Sequence, residues 1–292
     1  MWNLPKPDIS QVKSQLESVL PSGAAPILLS AKHRTSLNKL YLEYATQAGR
    51  PSTAFVPGGL SKKALKAILG AYSEVKDRGR LGGLRSDLML DVDACPYCGF
   101  GEIRDLDHHL QKARFKCFSI FPLNLVPTCS KCNGHKPKIP RADPAKHHVH
   151  AYLDDLSAHD FLRADVVLTK TAMSVSFRIE QSAGMSVELF SRLKQHLEDF
   201  RLNSRFRAQV NIFMCEQGPG IKSAYKGGGA ANLRSLLLDG ARDYRVAFGP
   251  NDWRCALYTE LAAHSDFCNG GFRKAIQPRV KKRPRAAKTA GP

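Results

Sequence analysis

Apolar positions recur at helical spacing through the first third of the chain. Ile9, Val12, Leu16 and Leu20 fall on one face of residues 9–20, with Asp8 placed to cap them. Leu37, Leu40, Tyr41 and Tyr44 repeat the pattern over 35–47, and Ser61 opens a helix carrying Leu65, Ile68, Leu69 and Tyr72. Gly79, Gly82 and Gly83 then punctuate the approach to a short helix around 84–90. Residues 1–88 therefore read as a helical region whose aromatic stripes belong to a core. Later the period changes. Within 164–180, Val175, Phe177 and Ile179 alternate with Ser and Arg, the mark of a half-buried β-hairpin. Helical spacing returns where Ser186 precedes Phe190, Leu193, Leu197 and Phe200, and where Ser204 precedes Phe206, Val210 and Phe213. The glycine-rich stretch 217–229 lacks the Gly-Lys-Ser/Thr continuation of a phosphate loop and reads as a flexible connection. Helical segments near 231–247 and 251–264 follow it.

Neither period governs residues 95–136. Two Cys-x-x-Cys pairs, Cys95/Cys98 and Cys129/Cys132, stand thirty residues apart. Four thiolates on two short turns close a tetrahedron around Zn²⁺, and a redox Cys-x-x-Cys needs no second pair. A closed four-sulfur shell has no open position, so this metal is read as structural. Cys117, Cys215, Cys255 and Cys268 are scattered and read as buried free thiols. Between the pairs, the run from Ile103 to Leu110 suits a strand. Strand alternation alone places Asp107 and His108 on opposite faces, and both reach one site only where the strand ends or twists. Asn124 and Asn133 complete the polar set. Asp105 reads as strand-end solvation, and His147, His148 and His150, with no thiol or acid at ligand spacing, as surface or packing residues.

Composition adds a partner class. The chain has 292 residues, 43% of them hydrophobic, and a net charge of +18. Residues 1–88 contribute +7, 89–140 +2, 141–272 +1 and the last twenty residues +8. Such an excess attracts polyanions, nucleic acid first. The segment 273–292 has eight basic residues and no acid, and reads as a disordered basic tail. No signal peptide opens the sequence and no apolar run approaches the roughly 18 residues of a membrane span, so a cytoplasmic protein with no membrane partner is expected.

The stretch CPYC…DLDHHLQK…PLNLVPTCSKCNGHK resembles the HNH nucleases, also called ββα-metal or His-metal-finger nucleases. The resemblance is close over about fifty residues. It implies an α+β chain: a ββα-metal finger with a four-cysteine zinc site, in residues 89–142, embedded in mainly helical flanks (1–88 and an α+β region 143–272) that hold one β-hairpin. It implies His108 as general base, Asp107 and Asn133 as ligands of a catalytic divalent ion, and Asn124 as the residue that braces the loop and orients the histidine. Gln111 departs from the proline many relatives carry. An imidazole of ordinary pKa near 6.5 suits a base at neutral pH, and one carboxylate with one amide suits Mg²⁺ or Mn²⁺. His109, Lys112, Arg114, Lys116, Lys131, Lys136 and Lys138 are candidate nucleic-acid contacts. The expected activity is hydrolysis of DNA phosphodiesters. An RNA substrate and a non-catalytic zinc-stapled binding module remain open. Family members that act in phage defence beside an ATPase, or in mobile elements, supply the expected setting.

Overall fold

Aromatic burial joins the regions that the sequence separates. The computed structural model describes residues 1–20, 29–137 and 143–276. The first region folds as α1 (Val12–Val19), α2 (Ala31–Thr46), α3 (Lys62–Ala71) and α4 (Gly82–Met89). Ser30 and Ser61 cap α2 and α3 by accepting from His33 N and Ala64 N, satisfying amides that helix starts leave open. Asp8 does not cap α1. Its carboxylate accepts from Ser10 N and Oγ instead, the helix begins after Gln11, and Ile9 is left 44% exposed. Tyr41 and Tyr44 on α2 are buried against the central module, Tyr41 stacking on Phe121 at 4.1 Å and Tyr44 meeting Phe118 at 4.8 Å.

The central module is a hairpin followed by a helix. β1 (Asp105–His108) pairs antiparallel with β2 (Leu125–Thr128), in the register Asp105 with Thr128 and His108 with Leu125. The six-residue helix α5 (Ser130–His135) follows directly. Beyond it, β3 (Leu162–Leu168) and β4 (Met173–Ile179) form the second hairpin, with Val175, Phe177 and Ile179 turned into the core as their alternation requires. The fold is thus mixed α/β, mostly helical, with two small hairpins. The C-terminal region adds α6 (Val187–Asp199), capped by Ser186, the long α7 (Leu202–Phe248), α8 (Trp253–Ala263) and α9 (Phe272–Ala275). The buried cluster runs from Met1 to Ile276, so the three regions share one core. No helix among the described residues is long and apolar enough to cross a membrane.

The structure corrects several sequence readings. α7 starts at Leu202, two residues before Ser204, and continues through the stretch read as a flexible loop. It breaks only at Gly228 and Gly229. Packing is the reason: Ile221 is buried, Tyr225 meets Phe272 at 5.1 Å, and a Cβ on Gly218 would lie 2.6 Å from Ile276. Those contacts outweigh a glycine penalty of about 1 kcal/mol per position. Cys215 is exposed rather than buried, unlike Cys117, Cys255 and Cys268. Lys138, the boundary at 142 and all but the first four residues of the tail 273–292 lie outside the described residues.

Of the surface and packing alternatives for His147, His148 and His150, the structure gives packing: all three are buried. One ion pair holds the backbone of His148 and His150. Asp154 accepts from His150 N at 2.6 Å and from Arg192 Nη1 at 2.5 Å, while Arg192 Nη2 donates to His148 O at 3.1 Å. The side chains of Arg192 and Asp154 are 1% and 6% exposed, so neither charge has water to fall back on. Removing one partner of such a pair leaves an uncompensated buried charge. Asp154→Ala is therefore expected to cost about 3–5 kcal/mol in urea unfolding. A loss below about 1 kcal/mol would place the pair among weak surface bridges.

Candidate active site and metal centre

The cysteine pairs converge. Cys95, Cys98, Cys129 and Cys132 are buried, with their four sulfurs all within 4.8 Å of one another. Cys98 Sγ lies 3.9 Å from Cys129 Sγ, against about 3.8 Å for the edge of a tetrahedron with Zn–S bonds of about 2.3 Å. Local backbone makes this possible. Gly99 N donates to Cys95 O and Cys95 N to Gly101 O, closing the first turn, while Cys129 caps α5 and accepts from Cys132 N. Gly101 is required at its position, because a Cβ there would sit 2.6 Å from Cys129 Sγ. The donor set therefore fits a structural zinc ion.

Sequence reasoning missed the cluster's outer support. Arg205, near the start of α7, donates from Nη1 to Cys132 Sγ at 3.1 Å and from Nη2 to Cys129 Sγ at 3.6 Å. Burial works against its charge, but the Cys132 sulfur outweighs that and holds the guanidinium pKa above its ordinary range. Four thiolates around a divalent ion carry a net negative charge, which Arg205 offsets. No local pattern marks it, since it stands 73 residues from Cys132.

Asn124 is fully buried and clamps the loop between the strands. Its Oδ1 accepts from Leu110 N at 2.7 Å and from Tyr44 OH at 2.9 Å. Its Nδ2 donates to Leu110 O and Phe118 O, both at 3.1 Å. Since Tyr44 gives its proton to Asn124, it accepts from His150 Nε2 at 3.1 Å, leaving His150 Nδ1 to accept from Tyr152 N at 3.1 Å. His109 stacks beside His150 at 4.0 Å and His148 at 4.7 Å. Burial keeps all three imidazoles neutral: His150 is pushed down to about 3, and His109 and His148 well below the histidine range. His109 is thus a packing residue of the interior.

His108 ends β1 and is buried. Its Nε2–H donates to Ser119 O at 2.9 Å, which leaves Nδ1 as the basic nitrogen. Tyr72, a second residue missed from sequence, holds the other side of the ring. Its edge meets His108 at 4.3 Å and its hydroxyl donates to Leu106 O at 2.9 Å. Lys112 lies over the Tyr72 ring at 3.8 Å. Burial, with the Lys112 and Lys136 charges adding to it against the Ser119 bond, pushes the His108 pKa down to about 3.

The remaining candidates pair differently from the sequence reading. Asp107 and Asn133 do not share a partner. Lys136 Nζ lies 2.6 Å and 2.5 Å from the two Asp107 oxygens and also donates to His108 O. Lys136 is thereby turned inward, its side chain 9% exposed, rather than presented to a phosphate. Asn133 Nδ2 donates to Asp105 Oδ2 at 3.1 Å, so Asp105 is an acceptor within the site and not merely solvated. Asp105 and Asp107 stand two residues apart on β1 and share a face of the strand, with His108 on the other. Arg114 and Lys131 are exposed on the rim, and Gln111 O accepts from Arg114 N and Phe115 N, forming the turn where relatives carry proline.

Cys95→Ser is expected to abolish stoichiometric zinc and soluble folding, as judged by metal analysis and circular dichroism. Arg205→Met keeps the four sulfurs and should weaken zinc about 10–100-fold in chelator competition, the usual cost of losing an outer partner. Unchanged zinc retention in both would contradict a four-sulfur site.

Comparison with known proteins gives one relative of interest. Protein ea31 of Escherichia phage lambda is 26% identical over 257 residues, which cover 81% of this chain and 83% of that protein. No protein-family model matches the chain. No solved structure matches it either.

Proposed function

We propose that the chain is a metal-dependent endonuclease of the HNH kind, acting on the phosphodiester bonds of DNA. The observation that carries the reading is the convergence of the hairpin β1–β2 and helix α5. Asp107 and His108 end the first strand, Asn124 clamps the loop, and Asn133 follows the last zinc-type cysteine. That order is the one a ββα-metal finger has. His108 takes the general-base role: Ser119 O and Tyr72 fix its ring, and the free Nδ1 receives the proton of an attacking water. Burial keeps it unprotonated throughout the physiological range, and at about 3, rather than the ordinary 6.5 expected from sequence, it is a weaker base than a free imidazole. Asn124 acts through the backbone of the loop that bears Ser119, positioning rather than touching the reacting atoms.

The oxygen donors Asp105, Asp107 and Asn133 are hard ligands of the sort Mg²⁺ or Mn²⁺ takes. Asp107 and Asn133 would hold the ion, which when bound supplies Lewis acidity and neutralises charge on the leaving oxygen. Lys136 competes for the same carboxylate. That contact also favours the second reading, a zinc-stapled nucleic-acid-binding module in which Lys136 neutralises Asp107 and no reaction occurs. A setting in phage defence or a mobile element, with an ATPase partner, goes with the nuclease reading; the ea31 relative is itself a phage protein.

Incubation with supercoiled plasmid DNA and, separately, RNA, in Mg²⁺ or Mn²⁺, decides between the two readings. Nicking by the native chain and its loss, by at least about 100-fold, in His108→Ala with zinc content unchanged is the expected result. Undiminished cutting by His108→Ala would remove the base, and no cutting by the native chain would leave the binding module. The pH profile is a second readout. A buried His108 with a pKa of about 3 predicts no loss of kcat/KM between about pH 8 and pH 5, whereas an acid limb centred near 6.5 would contradict it.

A further inference from the structure

The helix that braces the cysteine cluster through Arg205 leads to a second cationic surface. A cleft of about 610 Å³ lies between α7 and α9, lined by Lys222, Tyr225, Lys226, Phe272, Arg273 and Ile276. Among the described residues no carboxylate lines it. Lys222, Lys226 and Arg273 are exposed, and among the described residues none of them is held in an ion pair. The wall is rigid. Tyr225 packs on Phe272, and Ile276 fills the space that a Gly218 side chain would take. Arg273 is laid over the rings of Tyr225 and Phe272 at 5.2 Å and 5.0 Å, which orients its guanidinium. Three like charges around one cleft repel each other, and an anion relieves that repulsion.

The size of the anion follows from the composition of the sequence after Ile276. Immediately after Ile276 the sequence carries Arg279, Lys281, Lys282, Arg283, Arg285 and Lys288, with no acid. A single phosphate cannot neutralise so many cations, whereas a polyphosphate backbone can. α7 is unbroken between Arg205 and Lys226, so the cleft stands about 25–30 Å along the helix from the cysteine cluster. That is the rise of roughly 8 base pairs at about 3.4 Å each.

We propose that this cleft is a second nucleic-acid contact, which takes the phosphate backbone of DNA roughly 8 base pairs from the cysteine-braced module. It binds by charge and carries no sequence preference. It does not depend on cleavage, and it stands whether the module cuts or only binds.

The test is anisotropy of a labelled duplex of about 30 base pairs against salt, using the full chain in the His108→Ala background without added divalent ions. Changing Lys222, Lys226 and Arg273 together to Gln should lower the slope of log affinity against log salt by about 2.7, from about 0.9 per lost phosphate contact. Zinc content and melting temperature, measured alongside, should be unchanged. The charge-keeping set Lys222→Arg, Lys226→Arg and Arg273→Lys should retain the native slope, which keeps the proposal testable if the Gln set fails to fold. A charge-matched control, Lys6, Lys13 and Lys32 to Gln, should lower the slope by less than 1. An equal fall in the control would reduce the effect to net charge and overturn the site. An unchanged slope in the Gln set would overturn it as well. Competition by polyglutamate as strong, per charge, as by DNA would overturn the assignment to nucleic acid.

Discussion

Four buried sulfurs within 4.8 Å of one another, placed so that they could hold one metal ion, set the geometry of the centre of this protein. Strands of four residues and a helix of six are too short to hold themselves together in water. The cysteine cluster closes them from one side: the first pair precedes β1, Cys129 lies between β2 and α5, and Cys132 sits in the first turn of α5. Zinc in comparable small sites contributes on the order of 10–16 kcal/mol to folding. The aromatic side chains of α2 close the module from the other side, through Tyr41, Tyr44, Phe118 and Phe121. Arg205 then couples the cluster to α7, and Trp2 N donates to Pro96 O beside the first cysteine turn. The module is therefore held by elements from both ends of the chain and does not stand alone as a finger.

Charge is distributed around this frame with a consistent logic. Histidines behind the strand are buried, neutral and packed on one another, and the one full charge pair among them, Arg192 with Asp154, is fully engaged. At the strand's end a carboxylate meets an ammonium, Asp107 with Lys136. On the other face, His108 is wedged between Ser119 O and Tyr72, with the Lys112 ammonium over the same tyrosine. The proposed reaction draws on both faces at once, which requires the strand to end where it does. Asn124 sets that end by binding the backbone of Leu110 and Phe118.

Much of this was legible because it is local. Serine caps at Ser30, Ser61 and Ser186 lie beside the helices they start, and the alternation of Val175, Phe177 and Ile179 belongs to a single strand. The cysteine cluster was legible although its pairs are distant, because spacing within each pair encodes the turn. What sequence hid depends on contacts far along the chain. Nothing near Arg205 or Tyr72 marks them, and the glycines of α7 suggested a loop until Ile276 and Phe272 packed against that helix. The sequence left the histidines at 147–150 between surface and packing roles because Arg192, which holds the His148 carbonyl, is more than forty residues away. Lys136 read as a phosphate contact, since its spacing does not reveal that its ammonium returns to Asp107.

In the proposed reaction the cysteine-braced hairpin presents Asp107 to a second, hard cation beside His108. Anomalous diffraction from crystals soaked in Mn²⁺, with data at the zinc and manganese edges, tests it most directly. The expected result is zinc among Cys95, Cys98, Cys129 and Cys132 and a separate manganese peak at Asp107, with Lys136 moved off that carboxylate. Zinc in place but Lys136 still on Asp107, with no manganese beside it at saturating metal, would contradict the catalytic reading.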